Sequence, residues 1–197
     1  MNARQLGVAV ALVTGLAISG PAYTAPVTYE ASLSGPNESP PNASPGTGSA
    51  TVIVDLDAHT LDVDVTFSGL LAGVTAAHIH CCTASPFTGT VGVATTTPTF
   101  TDFPSGVTAG SYTHTFDMTL ASSFNPPFVT ANGGVAGAEA ALAAGLDAGK
   151  AYLNIHTSEF TGGEIRGFLT AVPVPAALPL FGSALLGLGA SCRRRRS

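Results

Sequence analysis

"ATVIVDLDAHTLDVDVTF", Ala50 to Phe67, reads as two strands and a turn. Ala50, Val52, Val54 and Leu56 recur at every second position. Asp57-Ala58-His59-Thr60 makes a short connection, and Leu61, Val63, Val65 and Phe67 then resume the alternation. Asp62, Asp64 and Thr66 occupy the opposite face of the second strand. Successive strand side chains point to opposite sides of a sheet, so this stretch is a hairpin with one buried and one wet face, as antiparallel sheets require.

The same period spreads outward. Val27, Tyr29, Ala31 and Leu33 alternate before a turn-rich insert, "GPNESPPNASPGTGS" from Gly35 to Ser49, whose Pro, Gly, Asn and Ser exclude regular structure. Further strands are expected at 75–81, 89–95, 111–120, 151–156 and 164–170. In the 111–120 strand, His114 shares a face with Tyr112, Phe116, Met118 and Leu120, which reads as a core histidine. An alanine-rich helix is expected at 135–146, "VAGAEAALAAGL", ending near Gly149. About eight strands and one short helix in a connection imply an all-β fold, an antiparallel β-sandwich or a flattened Greek-key barrel. No internal repeat stands out.

The two ends differ from this core. Arg4, the apolar run from Leu6 to Ile18 and the breaker Ser19-Gly20-Pro21 read as a signal helix, with Ala22 or Ala25 as the cleavage point. At the other end, "VPVPAALPLFGSALLGLGASCRRRR" (Val172 to Arg196) is a Pro-punctuated apolar segment closed by four arginines. About 20 such residues suffice to cross a bilayer with the arginines held inside. The expected organisation is a signal peptide at 1–25, an exported domain at 26–171 and a transmembrane or sorting helix at 172–197. Of seven basic residues only Lys150 and Arg166 lie between the ends, against all twelve acidic ones. Such an acidic centre repels phosphate backbones and argues against nucleic acid as a partner.

Val174-Pro175-Ala176 with the hydrophobic stretch and the arginine cluster is similar to the PEP-CTERM sorting signals in their VPLPA-like variant. That resemblance implies a Gram-negative surface protein, held transiently in the cytoplasmic membrane through 172–192 and cut there by an exosortase-type protease. A permanent single-pass anchor gives the same export topology. "YEASLSGPNESPP" (Tyr29 to Pro41), "AAHIH" (Ala76 to His80) and "AYLNIHTSEFTGGEIRGFL" (Ala151 to Leu169) together resemble the CHRD domain, a repeat first described in chordin and widespread in bacterial secreted proteins. The resemblance spans nearly the whole core and implies no catalytic role. The chain departs from the family pattern directly after the histidines, where Cys81-Cys82 and a Thr/Pro-rich loop stand.

His78 and His80 sit at i and i+2 of one strand and share a face. The strand carrying His156 is the expected neighbour and would add a third imidazole, a set that suits copper or zinc. A His-x-His strand also begins the metal site of copper–zinc superoxide dismutases, a likeness at fold level alone. The other reading of these histidines is that hydrogen bonds satisfy them, His156 reaching the turn near Gly162-Gly163. Cys81 and Cys82 are expected as an oxidised adjacent pair; an intermolecular disulfide and metal ligation by Cys82 are the alternatives. Glu164 and Arg166, with Asn154, are read as a structural network. Asp55, Asp57, Asp62 and Asp64 lack calcium-loop spacing and read as a solvated face. With no Gly-x-Ser-x-Gly, phosphate loop or nucleophile–base pair, the expectation is a non-enzymatic module of the cell surface or extracellular matrix. Its partners would be an extracellular polysaccharide or surface protein. The alternative is an extracytoplasmic copper- or zinc-binding protein.

Overall fold

Three long strands follow one another as a meander: β1 (Val27–Ser34), β2 (Thr47–Asp55) and β3 (Thr60–Ser68). β1 and β2 pair antiparallel from Val27↔Val54 to Ser34↔Thr47, and β2 and β3 from Thr47↔Ser68 to Asp55↔Thr60. This register aligns Tyr29, Ala31 and Leu33 with Ala50, Val52 and Val54 and with Leu61, Val63, Val65 and Phe67, all buried. The opposite face carries Ser49, Thr66, Asp62 and Asp64, tied by hydroxyl and carboxyl bonds to one another and to Thr113 and Thr115. These are the hairpin and its wet face as read from Ala50 to Phe67, except that β2 ends at Asp55 and Leu56 lies exposed in the turn.

The computed structural model describes residues 25–173, so the signal helix and most of the sorting tail lie outside the described residues. The remaining strands are β4 (Val74–His80), β5 (Gly110–Asp117), β6 (Tyr152–Thr157), β7 (Ile165–Phe168) and the short β8 (Thr170–Ala171). They complete one antiparallel sheet in the order β4-β6-β7-β1-β2-β3-β5, with β8 on β1. The sheet curls over a single core as a half-barrel. The expected two layers are therefore two halves of one sheet.

The open edge of β4 is covered by the long segment that follows it. Ala94 and Phe100 donate their amides to the carbonyls of Ile79 and Ala77, while Thr95 and Thr99 hydroxyls accept the amides of Ile79 and Ala77. Pairing the edge this way removes a template for aggregation. The strand expected at 89–95 is reduced to isolated bridges at Val93 and Thr95. The segment sends Phe100 and Phe103 into the core against Tyr112 and Phe116. β5 stops at Asp117, three residues short of the expected end, because its carboxyl accepts the Thr119 amide and its carbonyl accepts Ser123. Leu120 is consequently exposed, and His114 is half-buried against Phe116.

The connection from β5 to β6 holds two helices where one was expected: the short α1 (Pro126–Ala131) and α2 (Val135–Asp147). Pro126 opens α1 where its missing amide costs nothing. Gly134 opens α2, and Gly149 in the left-handed region closes it. Ala138, Leu142 and Leu146 of α2 are fully buried and close the core at one end. Each large apolar side chain so buried contributes about 1.5–3 kcal/mol. Among the described residues no helix is long and apolar enough to cross a membrane.

Candidate metal centre

Because β4 alternates, Ala77 and Ile79 enter the core while His78 and His80 point to the other side of the sheet. β4 pairs with β6, placing Ala76 opposite His156, His78 opposite Asn154 and His80 opposite Tyr152. His156 is thus a diagonal neighbour of His78 on the same face. The three rings form a nearly equilateral triangle, with centroids 5.8 Å apart for His78–His80, 5.3 Å for His78–His156 and 5.8 Å for His80–His156.

Each ring spends one nitrogen on a backbone carbonyl. His78 Nε2 bonds Pro98, His80 Nδ1 bonds Val91 at 2.8 Å, and His156 Nδ1 bonds Thr161 at 3.0 Å. A carbonyl can only accept, so in each ring the bonded nitrogen carries the proton and the other holds a lone pair. Those other nitrogens, His78 Nδ1, His80 Nε2 and His156 Nε2, are buried with no hydrogen-bond partner among the described residues. One ligand nitrogen from each histidine lies within 4.8 Å of the others. An ion held at about 2.0–2.1 Å from each nitrogen needs them about 3.3–3.5 Å apart, so ring rotations of about an ångström close the triangle. The bond from each ligand's second nitrogen to a carbonyl fixes tautomer and ring orientation, the arrangement that metal-binding histidines use.

Burial keeps the set neutral. It pushes the His80 imidazolium down to about 4, against the opposing pull of the Val91 carbonyl. Burial also lowers His78 and His156. Neutral imidazole is the form that binds metal. Around the triangle, Tyr152 stacks on His80 with centroids 4.8 Å apart, and the Arg166 guanidinium lies 4.7 Å over the other side of the Tyr152 ring. Arg166 is itself held by the carbonyls of Asn37 and Gly89 and faces the Glu38 carboxyl at 3.8 Å.

The remaining sequence candidates fall elsewhere. Cys82 is not part of the ligand group; it is bonded to Cys81, and the pair packs against α2 at Gly145. Glu164 and Arg166 do not meet. Glu164 precedes β7 and turns inward, fully buried, where its carboxyl accepts Ser44 Oγ at 2.6 Å, the Leu71 amide at 2.7 Å and Thr157 Oγ1 at 2.7 Å. Arg166 belongs to the histidine face, with Asn154 opposite it on β6. Asp55 caps its own turn by accepting the amides of Asp57 and Ala58. Glu38 and Tyr152 were missed by sequence reasoning. Tyr152 had a signal, since it stands at i−2 from Asn154 and i−4 from His156 on one strand. Glu38 had none, because it reaches the site from the irregular insert.

A family model for the CHRD domain matches residues 29–169. No curated protein and no solved structure matches the chain.

Proposed function

Since the chain belongs to the CHRD domain family, we propose that it works outside the cytoplasm as a non-enzymatic binding module that holds one copper or zinc ion through His78, His80 and His156. The observation that carries this reading is the convergence of three buried imidazole nitrogens, none with a partner among the described residues. Leaving a polar atom buried and unpaired costs about 1–3 kcal/mol. Three such costs at one point make sense as the lining of a ligand site, and three neutral imidazoles suit zinc or copper over calcium or magnesium.

The signal-like N-terminus, the acidic centre and the VPLPA-like tail support export and sorting at the cell surface, with an exosortase-type protease as processing partner. A metal-bearing module there would serve extracellular polysaccharide or a neighbouring surface protein.

The test is metal titration of the exported, chelator-treated protein. One equivalent of copper or zinc is expected to bind. His78→Ala, His80→Ala and His156→Ala should each lose it, while His59→Ala, whose ring bonds Glu139 on α2, should keep it. Wild-type protein that takes up neither ion at micromolar concentration overturns the reading.

A further inference from the structure

Five buried side-chain atoms among the described residues lack a partner within the protein, and a metal ion accounts for three of them. The other two, Asn154 Oδ1 and Glu38 Oε1, adjoin the same face. Asn154 is 3% exposed, lies directly across from His78 and stands two residues from His156. Its one side-chain bond among the described residues is a long one, from Nδ2 to the Gly162 carbonyl at 3.5 Å. Glu38, 7% exposed, places Oε2 near Arg166 and leaves Oε1 beside Gly163.

Gly163 is what lets these groups converge. A Cβ there would fall 2.4 Å from Asn154 Nδ2, 2.5 Å from Asn154 Oδ1 and 2.7 Å from Glu38 Oε1. Its backbone φ of +128° also excludes larger residues. Outside it opens a cleft of about 310 Å³ lined by Glu38, Pro41, Phe160, Gly162 and Gly163, leading from solvent to the turn that holds His156.

We propose that the ion held by the three histidines keeps an exchangeable fourth position, occupied by water or a small anion, with Asn154 as its positioning residue. This rests on the metal reading above. Three protein ligands leave a tetrahedral ion one open site. A metal-bound water has two protons to place; the Asn154 carbonyl accepts one, and the Glu38 side offers the next acceptor outward. A half-turn of the Asn154 carboxamide presents its NH₂ instead, which suits an anion. The cleft beyond Gly163 is the entry path. The ligand class is water and small anions, for which azide is the probe.

Azide added to the copper(II)-loaded full chain tests this by absorption and electron spin resonance. A saturable azide-to-copper band is expected. Asn154→Leu, and Asn154→Ala as a second variant, should keep one copper per chain and weaken azide by about tenfold, the loss of one hydrogen bond near a charge. Copper-loaded protein indifferent to azide, or azide affinity unchanged in both variants, overturns this inference and leaves the metal reading intact. Failure to load copper overturns this inference, and failure to load zinc as well overturns the metal reading with it.

Discussion

Acidification of the metal-free protein is expected to destabilise it, because three buried histidines outweigh one buried carboxyl. The His80 imidazolium is held down at about 4 in the fold, while an unfolded histidine titrates near 6.5. Between those values the unfolded chain binds the proton that the folded chain refuses. Stability is therefore full above about 6.5 and is lost as pH falls toward 4. At 1.36 kcal/mol per pH unit, His80 removes about 3 kcal/mol across that window. His78 and His156 are lowered by the same burial and act in the same direction. Glu38 opposes them. Burial pushes its carboxyl up to about 7, so its contribution is full below about 4.5 and is lost as pH rises through 7. That term is also about 3 kcal/mol, so Glu38 masks roughly one histidine. The net expectation for chelator-treated protein is a urea midpoint that falls from pH 7.5 to 4.5. Glu38→Gln should steepen that fall, and His80→Gln should flatten it. Saturating zinc should raise the midpoint at pH 7.5 and lose its effect at pH 4.5, because protons and metal compete for the same nitrogens. A metal-free midpoint that is flat or rises on acidification, with Glu38→Gln unchanged from wild type, refutes the reasoning.

Glu164→Ala strands two buried donors, Ser44 Oγ and Thr157 Oγ1, and the part-buried Leu71 amide, and should cost about 3–5 kcal/mol by urea denaturation. A loss below about 1 kcal/mol would show that the carboxyl does not pin these segments. Gly145→Ala should lower stability by about 1–3 kcal/mol, since its Cβ would lie 2.2 Å from Cys81 Sγ and 2.6 Å from Cys82 Sγ. In a Cys81→Ala/Cys82→Ala background the same change should be neutral or stabilising by up to about 1 kcal/mol, because only helix propensity then remains. Intact mass of the surface form checks the tail: loss of Arg193 to Arg196 is expected, and a mass that retains them rules out cleavage.

The meander was legible because each of its strands has one dry face, so hydrophobic period alone sets both element type and register. The same logic placed His78 and His80 on the face opposite Ala77 and Ile79. It failed between 82 and 109, where the chain pairs with β4 through single amides and threonine hydroxyls. Such a segment buries isolated residues, Ala94, Phe100 and Phe103, and leaves no period to read. Glu164 and Arg166, read together with Asn154 as one network, enter separate ones for a related reason. Alternation predicts one face for i and i+2, but Glu164 lies before β7 begins and Gly163 has already turned the chain.

The third histidine posed a different problem, since nothing local to His156 marks it as a neighbour of His78 and His80. What makes it one is the pairing of β4 with β6, elements separated in sequence by β5 and both helices. The register then decides the chemistry. Had β6 slipped by one residue against β4, His156 would leave this face, and Leu153 and Ile155 would be driven out of the core. Both residues are fully buried, so the hydrophobic term that fixes the strand also fixes the imidazole. The backbone of such a set is fixed in folding, and only ring rotations of about an ångström would remain for an ion to induce. The carbonyls of Val91, Pro98 and Thr161 complete it by holding each ring in the tautomer that turns a lone pair toward the others. Much of the entropy of assembling three imidazoles is therefore spent in folding the domain, which would favour tight binding of the proposed ion.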